Sequence, residues 1–242
     1  MATAAPSVDS VLAHACGERP LYTFAAATAL GVILVGFAPT YFLKAFFGTP
    51  ELSTLKHLHA LAMMAWFGLF LVQARLVATG NIALHRKMGI AGIAVAVLVV
   101  WMGLQAGLAS ARAGVTPIPE VPPLAFLVMP VGEMLAFALL FGAAIVLRRK
   151  SPWHKRLMLV ATIAMLTPAF ARWPLIATGG PPAFFGMTDL LVIGCMAYDW
   201  RRNGRVHPAF LSALALVVVI QVGRLALAGT ALWMDFARWA IA

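Results

Sequence analysis

The chain alternates between long apolar stretches and short connectors rich in proline, glycine or basic residues. About 20 consecutive apolar residues form a helix of ~30 Å, the thickness of the hydrocarbon layer of a membrane. The pattern predicts an all-α polytopic membrane bundle of about seven transmembrane helices. Pro168 and Pro174 lie inside the fifth helix and are expected to kink it. The predicted helices cover residues 21–43, 55–77, 86–108, 123–147, 154–177, 184–200 and 207–230.

The two ends of the chain differ from the stretches between them. Residues 1–20 are too polar to cross a membrane and are predicted to form a cytoplasmic N-terminal tail. Residues 231–242 alternate aromatic and charged positions, which is typical of an amphipathic tail at the membrane surface. We therefore expect one transmembrane domain over residues 21–230.

The charges of the chain follow the predicted topology. Apolar residues make up 62% of the sequence and charged residues 11%, yet the formal net charge is +10. The excess lies in connectors flanking apolar helices, so it indicates membrane orientation rather than nucleic-acid binding. Connectors on one side hold ten Lys and Arg residues, and the other side holds four. The positive-inside rule then predicts a cytoplasmic N-terminus, as in an inner-membrane protein. The ten are Arg86, Lys87, Arg148, Arg149, Lys150, Lys155, Arg156, Arg201, Arg202 and Arg205; the four are Lys44, Lys56, Arg112 and Arg238.

The basic connectors share a pattern. Segments 147–154 and 200–207 both place an Arg-Arg pair at the same spacing before a histidine, and segment 79–87 keeps the histidine without the arginine pair. One interpretation is duplication of a helix hairpin. The other is that basic loops and interfacial histidines recur in any membrane protein. The sequence leaves both open.

Several of these segments together resemble a family of uncharacterised bacterial multi-pass membrane proteins. The resemblance covers roughly residues 50 to 225 and implies a helical membrane bundle of bacterial origin. The family has no established activity, so the resemblance assigns no functional residue. The residues that carry it are His57-Leu58-His59-Ala60 with Trp66, Leu84-His85-Arg86-Lys87-Met88-Gly89, Trp153-His154-Lys155-Arg156-Leu157-Met158, and Asp199 through Arg205-Val206-His207-Pro208.

Ionisable residues inside the predicted helices are the main site candidates, because buried charge in a membrane is costly and usually faces the bundle interior. With the orientation above, these residues converge on the outer half of the bundle. They predict an outward-opening pocket that binds or moves a small molecule or ion, with the carboxylates as acceptors or proton carriers and the arginines as their balance or as holders of an anionic headgroup. The alternative is ion pairs that tie the bundle together. The predicted ligand-binding residues are His57, His59, Glu133, Arg172, Asp189 and Arg224.

The histidines are the candidate ligands for a metal ion or a haem. His57 and His59 are two residues apart, so on a helix they point about 200° away from each other and cannot chelate one ion; no metal site is predicted. His85 and His154 both begin helices on the basic side, which makes them the candidate pair for a b-type haem passing electrons to or from quinone. Their alternative role is contact with lipid phosphates.

No motif in the sequence fixes a reaction, so enzymatic activity stays undecided. A third hypothesis is an accessory subunit without chemistry of its own. Its partners would be the lipid bilayer together with a larger membrane complex or further copies of the chain.

Overall fold

The computed structural model describes residues 8–117 and 121–242, with side chains from residue 20 onward. These residues form eleven α-helices and one π-helical turn, and no strand occurs among them. The first helix already begins at Val8, within the predicted tail, whose residues 1–7 lie outside the described ranges. The helices are α1 (Val8–Gly36), α2 (Thr54–Ala78), α3 (Ile82–Arg112), α4 (Pro123–Phe126), α5 (Val128–Val146), α6 (Ser151–Ala164), α7 (Thr167–Phe170), α8 (Pro174–Ala177), α9 (Gly180–Asn203), α10 (Pro208–Leu227) and α11 (Ala231–Ile241).

The long helices confirm the predicted all-α membrane bundle. Within the described ranges, five helical segments are long and apolar enough to cross a membrane. A sixth apolar segment, Pro20–Gly36, is shorter. The predicted total of seven spans stays a prediction. The five segments are Thr54–Ala78, Ile82–Arg112, Pro123–Val146, Gly180–Asn203 and Pro208–Leu227.

The fifth predicted span, residues 154–177, is broken into α6, α7 and α8. Pro168 has no N–H for the carbonyl of Ala164, and its ring would crowd that carbonyl in a continuous helix. The hydroxyl of Thr167 donates to Ala164 O at 3.1 Å instead. Pro174 then starts α8, one turn after α7 has ended. The prolines therefore do more than kink the helix, because they open an irregular segment at one end of the bundle.

The helices run between two ends, which we name by their connectors. The basic end contains connectors 79–81, 147–150 and 204–207, and contacts such as that between the rings of Trp153 and His207, 5.4 Å apart, tie it together. The opposite end contains connectors 37–53, 113–117, 165–179 and 228–230, where Trp233 Nε1 donates to Leu124 O at 2.8 Å. Lys155 lies over the ring of Tyr22, so the apolar segment Pro20–Gly36 of α1 starts at the basic end.

The centre of the bundle is α5. In the most apolar 18-residue stretch of Pro123–Val146, 50% is buried inside the protein. The corresponding share is 22–28% in the other four spanning segments. Its aromatic side chains form the middle of the core: Trp66 of α2 packs edge-on against Phe137 at 4.8 Å and Phe141 at 5.6 Å. Polar groups on α5 are consequently removed from lipid and must find partners on neighbouring helices.

Candidate functional site

An ion pair joins α5 to α10 inside the bundle. Arg224 Nη1 donates to Glu133 Oε2 at 2.6 Å, and the two side chains are only 5% and 7% exposed. The same nitrogen lies 3.3 Å from Met129 O, and the guanidinium lies 4.6 Å over the ring of Phe185 on α9. Because each charge is removed from water, each depends on the other for compensation.

Asp189 on α9 extends this group of charges. Gln221 Nε2 donates to Asp189 Oδ1 at 3.0 Å, and Gln221 lies one turn before Arg224 on α10. The charge of Arg224 also acts on Asp189. The structure therefore brings three of the predicted site residues, Glu133, Asp189 and Arg224, into one cluster.

Thr167 connects the cluster to the broken helix. Its side chain lies beside the carboxylate of Glu133. Its hydroxyl hydrogen is used in the bond to Ala164 O, and the second carboxylate oxygen of Glu133, Oε1, is buried without a hydrogen-bond partner. The break that Pro168 causes thus places an irregular backbone segment against the carboxyl group of Glu133.

Arg172 lies on the other side of this segment. Its Nη1 donates to Pro168 O at 2.6 Å, and its guanidinium carbon lies 4.2 Å over the ring of Phe37 at the end of α1. Arg224 and Arg156 each have a carboxylate partner, whereas no carboxylate of the described residues lies within 4.0 Å of Arg172.

His59 of α2 lies on the same side as Arg172. The charge of Arg172 acts on the imidazole, which also interacts with the backbone of Met102 on α3. The Nδ1 atom of His59 is buried and has no hydrogen-bond partner. His57, in contrast, is exposed and forms a bond of 3.2 Å to the hydroxyl of Tyr41, so the structure separates the two histidines.

These side chains come from α2, α5, α7, α9, α10 and the segment between α7 and α8, and together we call them the polar layer. Six of the seven buried side-chain N and O atoms without a hydrogen-bond partner in the described part of the chain lie between the middle of the bundle and the opposite end, and three of the six belong to this layer. Those six atoms belong to Thr40, His59, Trp66, Glu133, Trp173 and Arg224. The polar layer consists of His59, Glu133, Thr167, Arg172, Asp189, Gln221 and Arg224.

A second buried ion pair, at the basic end, was missed by the sequence reasoning. Arg156 of α6 donates to Asp199 Oδ1 of α9, and both side chains are 4% exposed. Asp199 also accepts from Asn203 Nδ2 and from the backbone N–H of His207, each at 2.9 Å. The signal was present in the sequence. Asp199 is an acidic residue within the predicted apolar span 184–200, and Arg156 lies inside the predicted apolar span 154–177, close to its basic end.

The histidines proposed for haem, His85 and His154, also lie at the basic end and interact electrostatically. His154 Nδ1 lies 2.8 Å from Ala144 O, so it carries the hydrogen and leaves Nε2 with a lone pair. The side-chain amide of Gln73 forms hydrogen bonds with both of its atoms when its nitrogen donates to His85 Nδ1 at 2.7 Å. In that orientation His85 Nδ1 is the acceptor. A neutral His85 then carries its hydrogen on Nε2, the atom that a metal would need.

Haem binding therefore stays a prediction, and an absorption spectrum of the purified protein, oxidised and dithionite-reduced, tests it. For metals, no group of three or more His, Cys, Asp or Glu side chains placed to hold one ion occurs in the described ranges.

No protein-family model, curated protein or solved structure matches this chain. The function is therefore inferred from the polar layer itself.

Proposed function

We propose that this integral membrane protein binds or moves a small polar molecule or ion through the polar layer. The observation that carries the proposal is the set of buried polar atoms without hydrogen-bond partners in the half of the bundle that contains Glu133 and Arg224. Leaving one such atom unsatisfied costs about 1–3 kcal/mol. A set of six in one region is more than a purely structural ion pair needs, and it suits a region that exchanges its partners with water or a ligand.

The broken helix supports the same proposal. In the hydrocarbon region, irregular backbone is tolerated where it is buried in protein or lines a water-filled cavity. The segment between α6 and α8 exposes carbonyls that no helix satisfies, and two of them, Ala164 O and Pro168 O, are bonded by side chains of the polar layer. Discontinuous helices of this kind are where membrane transporters place their binding sites.

The direction of opening follows from the charge count. If the basic end is cytoplasmic, the polar layer opens at the external end of the bundle. Glu133 and Asp189 would then accept a proton, cation or hydrogen-bond donor, while Arg224 holds Glu133 ionised between turnovers. In this arrangement the ion pair with Arg224 is both the structural link and the part of the site that ligand binding rearranges.

Cysteine labelling tests whether water-soluble molecules reach the layer. In a background with Cys16→Ser and Cys195→Ser, Thr167→Cys places a near-isosteric thiol beside Glu133. Thr162→Cys is the matched control: it is the same exchange on α6, at a residue that is 0% exposed and bonds Met158 O. The reagents are the anionic sulfonatoethyl and the cationic trimethylammonioethyl methanethiosulfonates, applied to the protein in liposomes and followed by intact mass.

We expect the thiol of Thr167→Cys to react in the folded protein at least ten times faster than that of Thr162→Cys. Both should react fully after denaturation in SDS, which shows that each thiol is present. Equal protection of the two thiols in the folded protein contradicts the proposal, because the layer is then closed. Equal reactivity also contradicts it, because the reagent then reaches the core without a specific path.

A further inference from the structure

The three arginines inside the bundle are not equivalent. Arg224 and Arg156 each contact a buried carboxylate, and their charges are compensated within the protein. Arg172 contacts a carbonyl oxygen and an aromatic face only. A carbonyl dipole and a ring quadrupole stabilise a cation but do not neutralise it. Arg172 therefore keeps a net positive charge at the opposite end of the bundle.

The remaining donors of Arg172 are available. A guanidinium has five N–H groups, and one of its nitrogens, Nη1, is bonded to Pro168 O. Phe37 covers one face of the planar group, which leaves its edge to meet a partner. The side chain is half-buried, and none of its nitrogens is among the buried atoms without a hydrogen-bond partner. A planar fork of donors is suited to bidentate contact with a carboxylate or a phosphate.

The neighbours of Arg172 favour the same kind of partner. The indole Nε1 of Trp173 is a donor only, and it is buried without an acceptor. The imidazole of His59 lies within the field of Arg172, and its Nδ1 has no partner, so it can receive a proton that an acidic ligand carries. On the far side of Thr167, by contrast, the cluster around Arg224 holds two carboxylates, Glu133 and Asp189.

We propose that Arg172 binds the anionic oxygens of a phosphate group, with Trp173 and His59 beside it. The proposal rests on the proposed function, since it names the charge of the molecule that the polar layer receives. Two kinds of molecule present such oxygens: a free phosphate anion in water and the phosphate of a lipid headgroup. Arg172 near the end of the bundle is reachable by both.

Thermal unfolding of the full-length protein in dodecyl maltoside tests the proposal. The probes are sodium phosphate against sodium chloride at equal ionic strength, and phosphatidylglycerol against phosphatidylcholine. The variant is Arg172→Gln, and the matched control is Arg238→Gln, which removes the same charge from the same end at a side chain that is 59% exposed. Arg172→Lys serves if Arg172→Gln does not fold, because it keeps the charge and loses the fork.

We expect one of the two anionic probes to raise the Tm of the wild type and of Arg238→Gln by about 3 °C at ten times its Kd. The rise should be lost in Arg172→Gln and at least halved in Arg172→Lys. A response to phosphate identifies a water-borne anion, and a response to phosphatidylglycerol alone identifies a lipid headgroup. An unchanged rise in Arg172→Gln, or no rise with either probe, overturns the proposal.

The labelling rates separate this proposal from the proposed function. In the Thr167→Cys background, the ratio of anionic to cationic reagent rates should fall about tenfold in Arg172→Gln and change less than twofold in Arg238→Gln. If labelling is fast but the ratio of anionic to cationic rates is the same in Arg172→Gln as in the wild type, the anion proposal is wrong. The polar layer can then still bind other ligands. A protected thiol removes the proposed function, and a Tm response to phosphatidylglycerol alone that depends on Arg172 then assigns the arginine to lipid at the protein surface.

Discussion

Gly132 lies directly against the side chain of Arg224. A Cβ built on Gly132 would be 2.4 Å from Arg224 Cδ and 2.5 Å from Cγ, well inside van der Waals contact. These are the middle atoms of the arginine and not its mobile tip, so they cannot move aside while the guanidinium stays on Glu133. The absence of a side chain at residue 132 is therefore a condition for the ion pair of the adjacent residue.

Gly132→Ala is predicted to destabilise the protein by about 1–3 kcal/mol through this overlap, whereas Gly142→Ala on the same helix has nothing within 4 Å of its added carbon. Because alanine is the better helix former, Gly142→Ala should be neutral or slightly stabilising. Tm values of the two variants in detergent check the prediction. An equal effect of the two exchanges would mean that Arg224 reaches Glu133 by another path.

Removing one partner of the Glu133–Arg224 pair is predicted to destabilise the protein more than replacing both partners with apolar residues. Glu133→Leu leaves Arg224 buried without its carboxylate and should cost about 3–5 kcal/mol. The double variant with Arg224→Met removes both charges and keeps much of the volume, so it should recover most of that loss. A double-mutant cycle from denaturant titrations measures the coupling, and additive losses would show that the two side chains act independently.

The sequence predicted the spanning helices well because they depend on hydropathy alone. Each predicted span from 55–77, 86–108, 123–147, 184–200 and 207–230 has a long helical counterpart in the structure. The signal is a run of apolar residues bounded by glycine, proline and charge, and no tertiary contact is needed to recognise it.

The pairing of charges could not be predicted in the same way. The sequence shows two carboxylates and two arginines in the predicted outer half, and nothing local decides that Glu133 meets Arg224 and leaves Arg172 without a carboxylate. That choice depends on which helices are neighbours and on a glycine at the contact. Arg156 illustrates the converse error, since it was counted as a connector charge and is buried against Asp199. The orientation count then keeps nine basic residues on that side against four, and its sign is unchanged.

The basic end offers a test of burial against exposure. Asp199→Asn leaves Arg156 without its carboxylate and is predicted to cost about 3–5 kcal/mol. Asp235→Asn breaks the pair with Arg238, in which the Asp235 side chain is 72% exposed and the Arg238 side chain 59%. This exchange should change stability by about 0–1 kcal/mol. Tm values and membrane yields of the two variants give the comparison, and similar losses would contradict the assignment of Asp199 as the anchor of this end.

The contact between α1 and α7 depends on a second glycine. A Cβ on Gly36 would lie 2.7 Å from the carbonyl oxygen of Ala169 and 2.8 Å from its Cα, so Gly36→Ala must separate the two backbones. This separation should also draw Phe37 from the guanidinium of Arg172. Gly31→Ala, with nothing within 4 Å on the same helix, is the control. We expect a lower Tm and a weaker anion response for Gly36→Ala, and neither change for Gly31→Ala.

His207 links the stability of the basic end to pH. Its Nδ1 accepts from Ala209 N at 3.1 Å as the N-cap of α10, which requires a neutral ring. Partial burial lowers the pKa of His207 below its usual value, and the positive charge of Arg156 lowers it further. A lowered pKa means that the unfolded chain binds the proton first, so the contribution of the cap is complete above about pH 6.5 and is lost as the pH falls below it.

His207→Ser keeps a capping oxygen that does not titrate in this range. The wild type should therefore lose stability relative to His207→Ser between about pH 7 and pH 5, by about the 0.5–2 kcal/mol that an N-cap contributes. Tm values of both proteins across that range decide the matter. Parallel curves would place the pH dependence elsewhere, because the only difference between the two proteins is the titrating ring at the start of α10.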